Sequence, residues 1–405
     1  MYDNLLYQNA TKLLKEDILH NQFPQSVLFS GPQGSGKLTA ALETARILSC
    51  KGNPRGKWQC DCSSCVQQKS LLSQNVILSG SRDCSMEIAA ASYAFLRAVS
   101  NKTAYLAASR YFFLRSVRKL TLRFNQILWE DSDKYNKIGA LAGDIEEALE
   151  TLDFPHELPN EMSNIEKSCK QILDLCKKLE DGFLYDSIPI SQVRNMSSWA
   201  HLKSVGGCKT IIIENADRML ENVRNALLKI LEEPPEDTFF ILTTARRNAI
   251  MPTILSRVRT YSFNNRTLEE QYEVIDRVFH RSDFKGSINE YLLSFLPVSP
   301  DSLRQSAHTF FETLKAHKIP EIPPLIKECG NFDPRIMFKL FLVGIIDAQK
   351  SLLLTSQGTF ASGEIVAAIK DCWNNVTVYN QGIQAALESL VREFIRILRT
   401  IGVKQ

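Results

Sequence analysis

No apolar run in this chain approaches the roughly 20 residues that a membrane-spanning helix needs. Histidine is scarce, six in 405 residues, and none lies near the densest group of cysteines, so thiols alone would have to supply a metal site there. Net charge is almost absent as well: 48 Lys and Arg against 45 Asp and Glu leave +3. That is too little to mark the whole chain as a nucleic-acid binder. The start, MYDNLLYQNATKLLKEDI, lacks the apolar core of a signal peptide and is instead charged and amphipathic. These absences point to a cytoplasmic globular protein, with length enough for two to four domains.

Glycine and proline are nearly missing from about 85 to 154, and the stretch 85–183 reads as an inserted helical bundle or hairpin. Residues 88–129 carry seven basic side chains (Arg97, Lys102, Arg110, Arg115, Arg118, Lys119, Arg123) and no acid, with aromatics interleaved. Residues 130–157 then hold nine Asp or Glu against two Lys. The basic half could meet nucleic-acid phosphates. It could equally pair with the acidic half beside it, its aromatics forming the insertion's own core; the adjacency favours this.

What is present most plainly is VLFSGPQGSGKLT, residues 27–39. An apolar strand (Val27, Leu28, Phe29) runs into a turn of Gly31, Pro32, Gln33, Gly34, Ser35, Gly36 and Lys37, and LTAALETARILS continues with helical spacing. Glycines free backbone N–H groups to wrap a phosphate, the helix N-terminus adds partial positive charge, and Lys37 adds a full one. The pattern G-x-x-x-x-G-K-[ST] is complete except at its last position. There Leu38 replaces the hydroxyl residue that would ligate Mg²⁺, with Thr39 one place too late.

The strand KTIIIENAD is the natural second half of such a site. Nucleotide-hydrolysing folds end this strand in Asp-Glu, the Asp ordering Mg²⁺ and the Glu polarising the attacking water. Here the positions hold Glu214 and Asn215, and an amide accepts no proton. Leu38, Glu214 and Asn215 together argue for weak or absent hydrolysis.

Of ten cysteines, Cys84, Cys169, Cys176, Cys208, Cys329 and Cys372 are scattered through helical or strand-like stretches and read as buried thiols. Cys50, Cys60, Cys62 and Cys65 form C-x₉-C-x-C-x₂-C. Four thiolates fill a tetrahedral structural Zn²⁺ site and leave no open catalytic position, although the one-residue gap departs from the usual knuckle.

Strands are expected at 75–78, 209–213, 238–243 and 258–263, alternating with helices, which implies a parallel sheet with both faces covered. Beyond about Arg266 the pattern is helical, broken by IPEIPP (319–324) as a linker.

LENVRNALLKILEEPPEDTFFILTT followed by MPTILSRV resembles the bacterial DNA polymerase III clamp-loader AAA+ subunits, gamma/tau and especially delta-prime. The resemblance covers 1–84 and about 184–264 well and the helical tail loosely, with the insertion outside it. The cysteine cluster also sits where that family carries its zinc module. Delta-prime subunits typically have an eroded ATP site, which the three departures match. The resemblance implies an α/β AAA+ core (1–264, zinc module about 50–65), a helical lid (265–322) and an all-α collar (323–405) that carries oligomerisation.

By the same resemblance Lys37 and the backbone of Gly34 and Gly36 would hold ATP phosphates, and Thr244 takes the sensor-1 position. Arg257, in Ser256-Arg257, would be an arginine finger for a neighbouring subunit's ATP. The family usually has Cys where Val258 stands. Arg304 matches the sensor-2 helix, or is simply an exposed helix arginine. Implied partners are gamma/tau and delta subunits, the sliding clamp and primed DNA. The alternatives are an active gamma/tau-type ATPase and a stand-alone P-loop NTPase acting on nucleic acid.

Overall fold

The computed structural model describes residues 1–80, 84–185, 187–204, 206–354, 356–379 and 381–400. The chain forms two compact units, Met1–Tyr291 and Leu292–Gln405.

In the first unit five short strands make one sheet: β1 Ser26–Ser30, β2 Val76–Ser79, β3 Lys209–Ile213, β4 Thr238–Thr244 and β5 Arg259–Ser262, ordered β2-β3-β4-β1-β5. All pairings are parallel, with Val27 opposite Ile241 and Arg259, and Ile211 opposite Ile77 and Phe240. Side chains alternate between two buried faces, as a covered parallel sheet requires. Val27, Phe29, Ile212 and Ile241 pack with helices α1 (Ala10–Leu19) and α2 (Lys37–Ser49). Leu28, Ile211, Ile213, Phe240 and Leu242 face the other way.

That second face is where the insertion lies. It comprises α4 (Ser85–Ser100), α5 (Leu106–Thr121), α6 (Gln126–Trp129), α7 (Tyr135–Glu150) and α8 (Met162–Phe183), following the short α3 (Ser63–Ser70). The expectation of a bundle with its own core is corrected: Phe95, Phe113, Val117, Ile145 and Ile172 share one apolar cluster with Leu28, Ile211 and Phe240. Apolar periodicity showed which residues are buried but not what they are buried against.

Five of its basic residues (Arg110, Arg115, Arg118, Lys119 and Arg123) turn to protein oxygens while Lys102 is exposed, and Arg110 and Arg118 meet the acidic half as the adjacency of opposite charge suggested. Arg118 reaches Glu146 at 3.2 Å and Asp153 at 2.5 Å. Arg110 donates to the carbonyls of Leu152, Asp153 and His156 at 2.7–2.8 Å. The others range further than the acidic half: Lys119 pairs with Glu87, Arg115 and Tyr111 donate to the carbonyl of Lys69 at the end of α3, and Arg123 pairs with Glu214.

The unit continues through α9 (Ile190–His201), α10 (Glu221–Glu232), α11 (Pro252–Leu255) and α12 (Leu268–Phe279) into α13 (Ile288–Leu293). Thr267 and Glu270 form a reciprocal capping box that starts α12. The insertion also packs on this helix: Tyr105 stacks on His280 at 3.7 Å, and Phe112 meets Phe279 edge-on at 5.4 Å.

Burial lowers the pKa of His280, with Asp276 opposing in part. A cationic group with a depressed folded pKa binds its proton more readily in the unfolded chain, so stability falls as pH drops through about 6.5. We expect His280→Phe to lose less melting temperature than the wild type between about pH 7.5 and 5.5. Parallel pH curves for the two proteins would refute the assignment.

The second unit contains α14 (Pro300–Lys315), α15 (Ile322–Glu328), α16 (Ile336–Ala348), α17 (Ser356–Thr377) and α18 (Ile383–Thr400). α14 and α16 cross closely at Gly344, where a Cβ would lie 2.8 Å from that of Ala307, and Phe310 packs edge-on against Phe341. The 319–324 break is shorter than expected. Ile322, Pro323 and Pro324 form the first turn of α15, where proline forfeits no helical hydrogen bond.

Candidate functional site

The phosphate loop hangs between β1 and α2. Gly31 has no substitute there, because a Cβ would sit 2.4 Å from the carbonyl oxygen of Phe263 at the exit of β5. Gly34 and Gly36 take φ of +73° and +91°, conformations that glycine adopts without steric cost and that turn backbone N–H groups inward. Lys37 Nζ donates to the carbonyls of Gly31 (2.6 Å) and Pro32 (2.5 Å) and reaches Ser35 Oγ at 3.3 Å. The ammonium thus rests on its own loop's oxygens, which a phosphate would replace. Leu38 is buried in the apolar layer under the loop, and Thr39 is half-buried beside it.

Sequence reasoning missed Arg266. It is buried, donates from Nη1 to the Gly34 carbonyl at 2.5 Å, and grips the Leu6 carbonyl through Nε and Nη2 at 3.2 and 2.9 Å. Leu5 closes the same side, its Cδ2 lying where a Cβ on Gly36 would come within 2.8 Å. The N-terminal segment is therefore stitched over the loop. No local pattern marks the Arg266 contacts, which span more than two hundred residues.

At the far end of β3, Glu214 is buried and its Oε2 accepts from Arg123. Asn215 turns the chain in the left-handed region at φ +54°. β2 leaves the sheet so close by that a Cβ on Gly80 would lie 2.2 Å from the Glu214 carbonyl oxygen. Thr244 is buried at the end of β4: its hydroxyl donates to Asp217 Oδ1 at 2.8 Å, and its carbonyl accepts from Gly31 N at 3.1 Å. Asp217, the second unforeseen member, also holds Arg246 at 2.9 Å.

Arg257 stands apart, just past α11. Its Nη1 donates to the Thr253 carbonyl at 2.8 Å, and Nη2 reaches Glu232 Oε2 at 3.1 Å. Arg304 belongs to the other compact unit, exposed on α14 and paired with Asp301 at 2.8 Å.

The four cysteines Cys50, Cys60, Cys62 and Cys65 do come together, their sulfurs all within 4.8 Å of one another. Cys50 and Cys60 Sγ lie 3.7 Å apart, against roughly 3.8 Å for two thiolates on one tetrahedral Zn²⁺ at the usual bond length. Cys50 Sγ accepts from the N–H groups of Gly56 (3.2 Å) and Gly52 (3.4 Å), and Cys65 Sγ from Arg46 Nη1 (3.1 Å). Such donors steady metal-bound thiolates. Burial pushes the Cys65 thiol up. At Cys62 burial is outweighed by the N–H groups of Lys51 and Cys65, which hold it down near 6. Cys62 and Cys65 thus hold their protons unequally, and a dication bound between the sulfurs favours the thiolate form. The donor set fits zinc. Of the remaining cysteines, five are buried and Cys208 is half-buried.

A five-stranded parallel sheet with the phosphate loop after a central strand, β3 two places away and Thr244 between them, defines a AAA+ P-loop core with further helical elements. The family model "DNA polymerase III, delta subunit" matches residues 7–128 and 153–267, more than half of the chain. The chain belongs to this family, which bears out the clamp-loader resemblance of delta-prime type. The match runs through α4 and α5, so the insertion as a whole does not stand outside the family, as the sequence suggested; within it only 129–152 is unmatched.

Among curated relatives, the DNA polymerase III subunit delta' of Bacillus subtilis is 46% identical over 102 residues, 24% of this chain and 30% of that protein. Its Pseudomonas aeruginosa counterpart is 39% identical over 71 residues, 17% of this chain and 22% of that one. The matched segments thus span less than a third of these relatives' own length. A DNA polymerase III gamma subunit-related protein of Thermotoga maritima aligns over 52% of this chain and 80% of its own at 19% identity, with a TM-score of 0.25. Among the described residues no helix is long and apolar enough to cross a membrane.

Proposed function

We propose that this chain is a delta-prime-type subunit of a clamp loader. It would take a place in a hetero-oligomeric ring with gamma/tau and delta subunits and help open or hold the sliding clamp on primed DNA. It would turn over no ATP of its own and would present Arg257 to the ATP of a neighbour. One observation supports the reading: the chain's own site is chemically depleted, while Arg257, the residue proposed as a finger, is present. Leu38 offers no hydroxyl, Glu214 is committed to Arg123, and Asn215 is no base, yet Arg257 stands in the turn between α11 and β5. A guanidinium there would neutralise charge on a phosphoryl group in transfer without proton chemistry.

In this reading the backbone of Gly34 and Gly36 and the Lys37 ammonium are a retained phosphate cradle, Thr244 is a sensor-1 residue and Arg304 a sensor-2 residue. Cys50, Cys60, Cys62 and Cys65 hold a structural Zn²⁺. Residues 265–322 act as lid and 323–405 as collar. The exposed Val343, Phe360 and Val366 supply apolar surface that a collar contact would cover.

Two measurements on purified protein test this. The isolated chain is expected to show no ATP turnover above background and to co-purify with gamma/tau and delta subunits. Sustained turnover would point to an active gamma/tau-type motor, and failure to assemble would exclude the loader altogether.

A further inference from the structure

The Mg²⁺ that the fold implies does not fit the residues present. Such an ion is held by oxygen: a loop hydroxyl, a carboxylate at the end of β3, phosphate and water. The loop position is the buried, apolar Leu38. The carboxylate belongs to Glu214, 8% exposed, and its Oε2 accepts from Arg123, itself 2% exposed. A guanidinium stays protonated at any pH the protein survives, so a dication at this carboxylate would meet a fixed like charge in a poorly screened interior.

Arg123 is also well placed to stay. It sits in the single turn Leu122–Phe124 that closes α5. Its Nη1 donates to the Lys119 carbonyl, and its own carbonyl accepts from Trp129 Nε1 at 3.1 Å. Trp129 stacks on Phe124 and Tyr185 with ring centres 5.5 and 5.4 Å away. The arginine is therefore fixed at its backbone and at its tip, and it comes from the insertion rather than from the sheet.

We propose that Arg123 is a built-in counter-ion for Glu214, so that the insertion does for the end of β3 what a divalent cation does in a hydrolysing relative. The nucleotide-site edge then takes one form whether or not Mg²⁺ is present. This goes beyond the loader assignment and does not depend on it.

Thermal melting of the isolated full chain tests it, with no added divalent ion, with Mg²⁺, and with Mg²⁺ plus ATP. The wild type is expected to melt at the same temperature with and without Mg²⁺, and any gain in the third condition would come from phosphate in the loop. Arg123→Ala leaves Glu214 without its guanidinium and should melt lower by roughly 5–8 °C, the scale for breaking a buried pair in a unit of this size. Mg²⁺ should restore part of that loss. Arg123→Met combined with Glu214→Gln removes both charges and keeps both volumes, so it should melt within a few degrees of the wild type and ignore Mg²⁺.

A wild type that gains several degrees from Mg²⁺ would overturn the proposal. So would a double variant that melts as low as Arg123→Ala, because packing and not charge would then explain the loss. If Arg123→Ala fails to fold, the wild-type series and the double variant still decide. Failure of loader assembly leaves every one of these readings intact.

Discussion

In a reconstituted loader carrying Arg257→Ala, ATP turnover at the site that this subunit faces is expected to fall by roughly 10³-fold, the lower range for arginine fingers, while the ring assembles as before. The local contacts explain why the residue is free for such a task. Thr253, Ser256 and Glu232 hold its guanidinium at the surface at 2.8, 3.3 and 3.1 Å. A surface ion pair of this kind contributes ~0–1 kcal/mol, so little opposes its transfer to a more demanding anion. Arg257→Lys should recover only part of the rate, since an ammonium keeps the charge but not the planar fork that meets two phosphate oxygens at once. Single-turnover hydrolysis by the assembled loader, with assembly checked by gel filtration, reads the effect. An unchanged rate in an intact ring would remove Arg257 from the mechanism.

The elements that carry the site were legible because their signals are local. The strand–glycine–lysine–helix run predicts β1, the loop and α2, and KTIII predicts β3 with its observed ends. Boundaries moved by one or two residues: β2 shifts to Val76–Ser79, β4 extends to Thr244, whose carbonyl binds Gly31 N, and β5 shortens to Arg259–Ser262. What stayed hidden was every contact made across long stretches of chain. Arg266 on the Gly34 carbonyl, Arg123 on Glu214 and Arg115 on the end of α3 all look in sequence like surface arginines. Each is spent on oxygens far away in the chain, and only tertiary packing decides which oxygen an arginine finds. Charge bookkeeping foretold that the basic half would meet the acidic half, as Arg110 and Arg118 do. It did not foretell that Arg115 and Arg123 would tie the end of α3 and the end of β3 to one helix and its terminal turn.

Loss of the zinc proposed for the four cysteines should have the other large effect, and the 50–65 segment shows why. Residues 51–62 have no helix or strand, and most of them are exposed or half-buried, so little apolar surface holds them. Their order comes from the four sulfurs and from Arg46, which α2 projects into the segment. Arg46 pairs with Glu43 through two bonds of 2.8 and 2.6 Å and donates to the carbonyls of Gly56 (2.9 Å) and Lys57 (3.1 Å). Gly52 is required beside the cluster, where a Cβ would fall 2.5 Å from Cys60 Sγ. A Cys₄ site contributes ~10–16 kcal/mol of apparent binding free energy at neutral pH, and that is folding free energy wherever no other core exists. Cys60→Ser is therefore expected to lose stoichiometric zinc and to open the 51–62 segment to protease. It should also lower the melting temperature of the first unit, because Arg46 and the α2 surface lose their cover. Metal content by mass spectrometry and a limited-proteolysis time course read both effects. Full zinc occupancy in Cys60→Ser, or a zinc-free wild type with the same cleavage pattern, would show that the fold holds this segment without the ion.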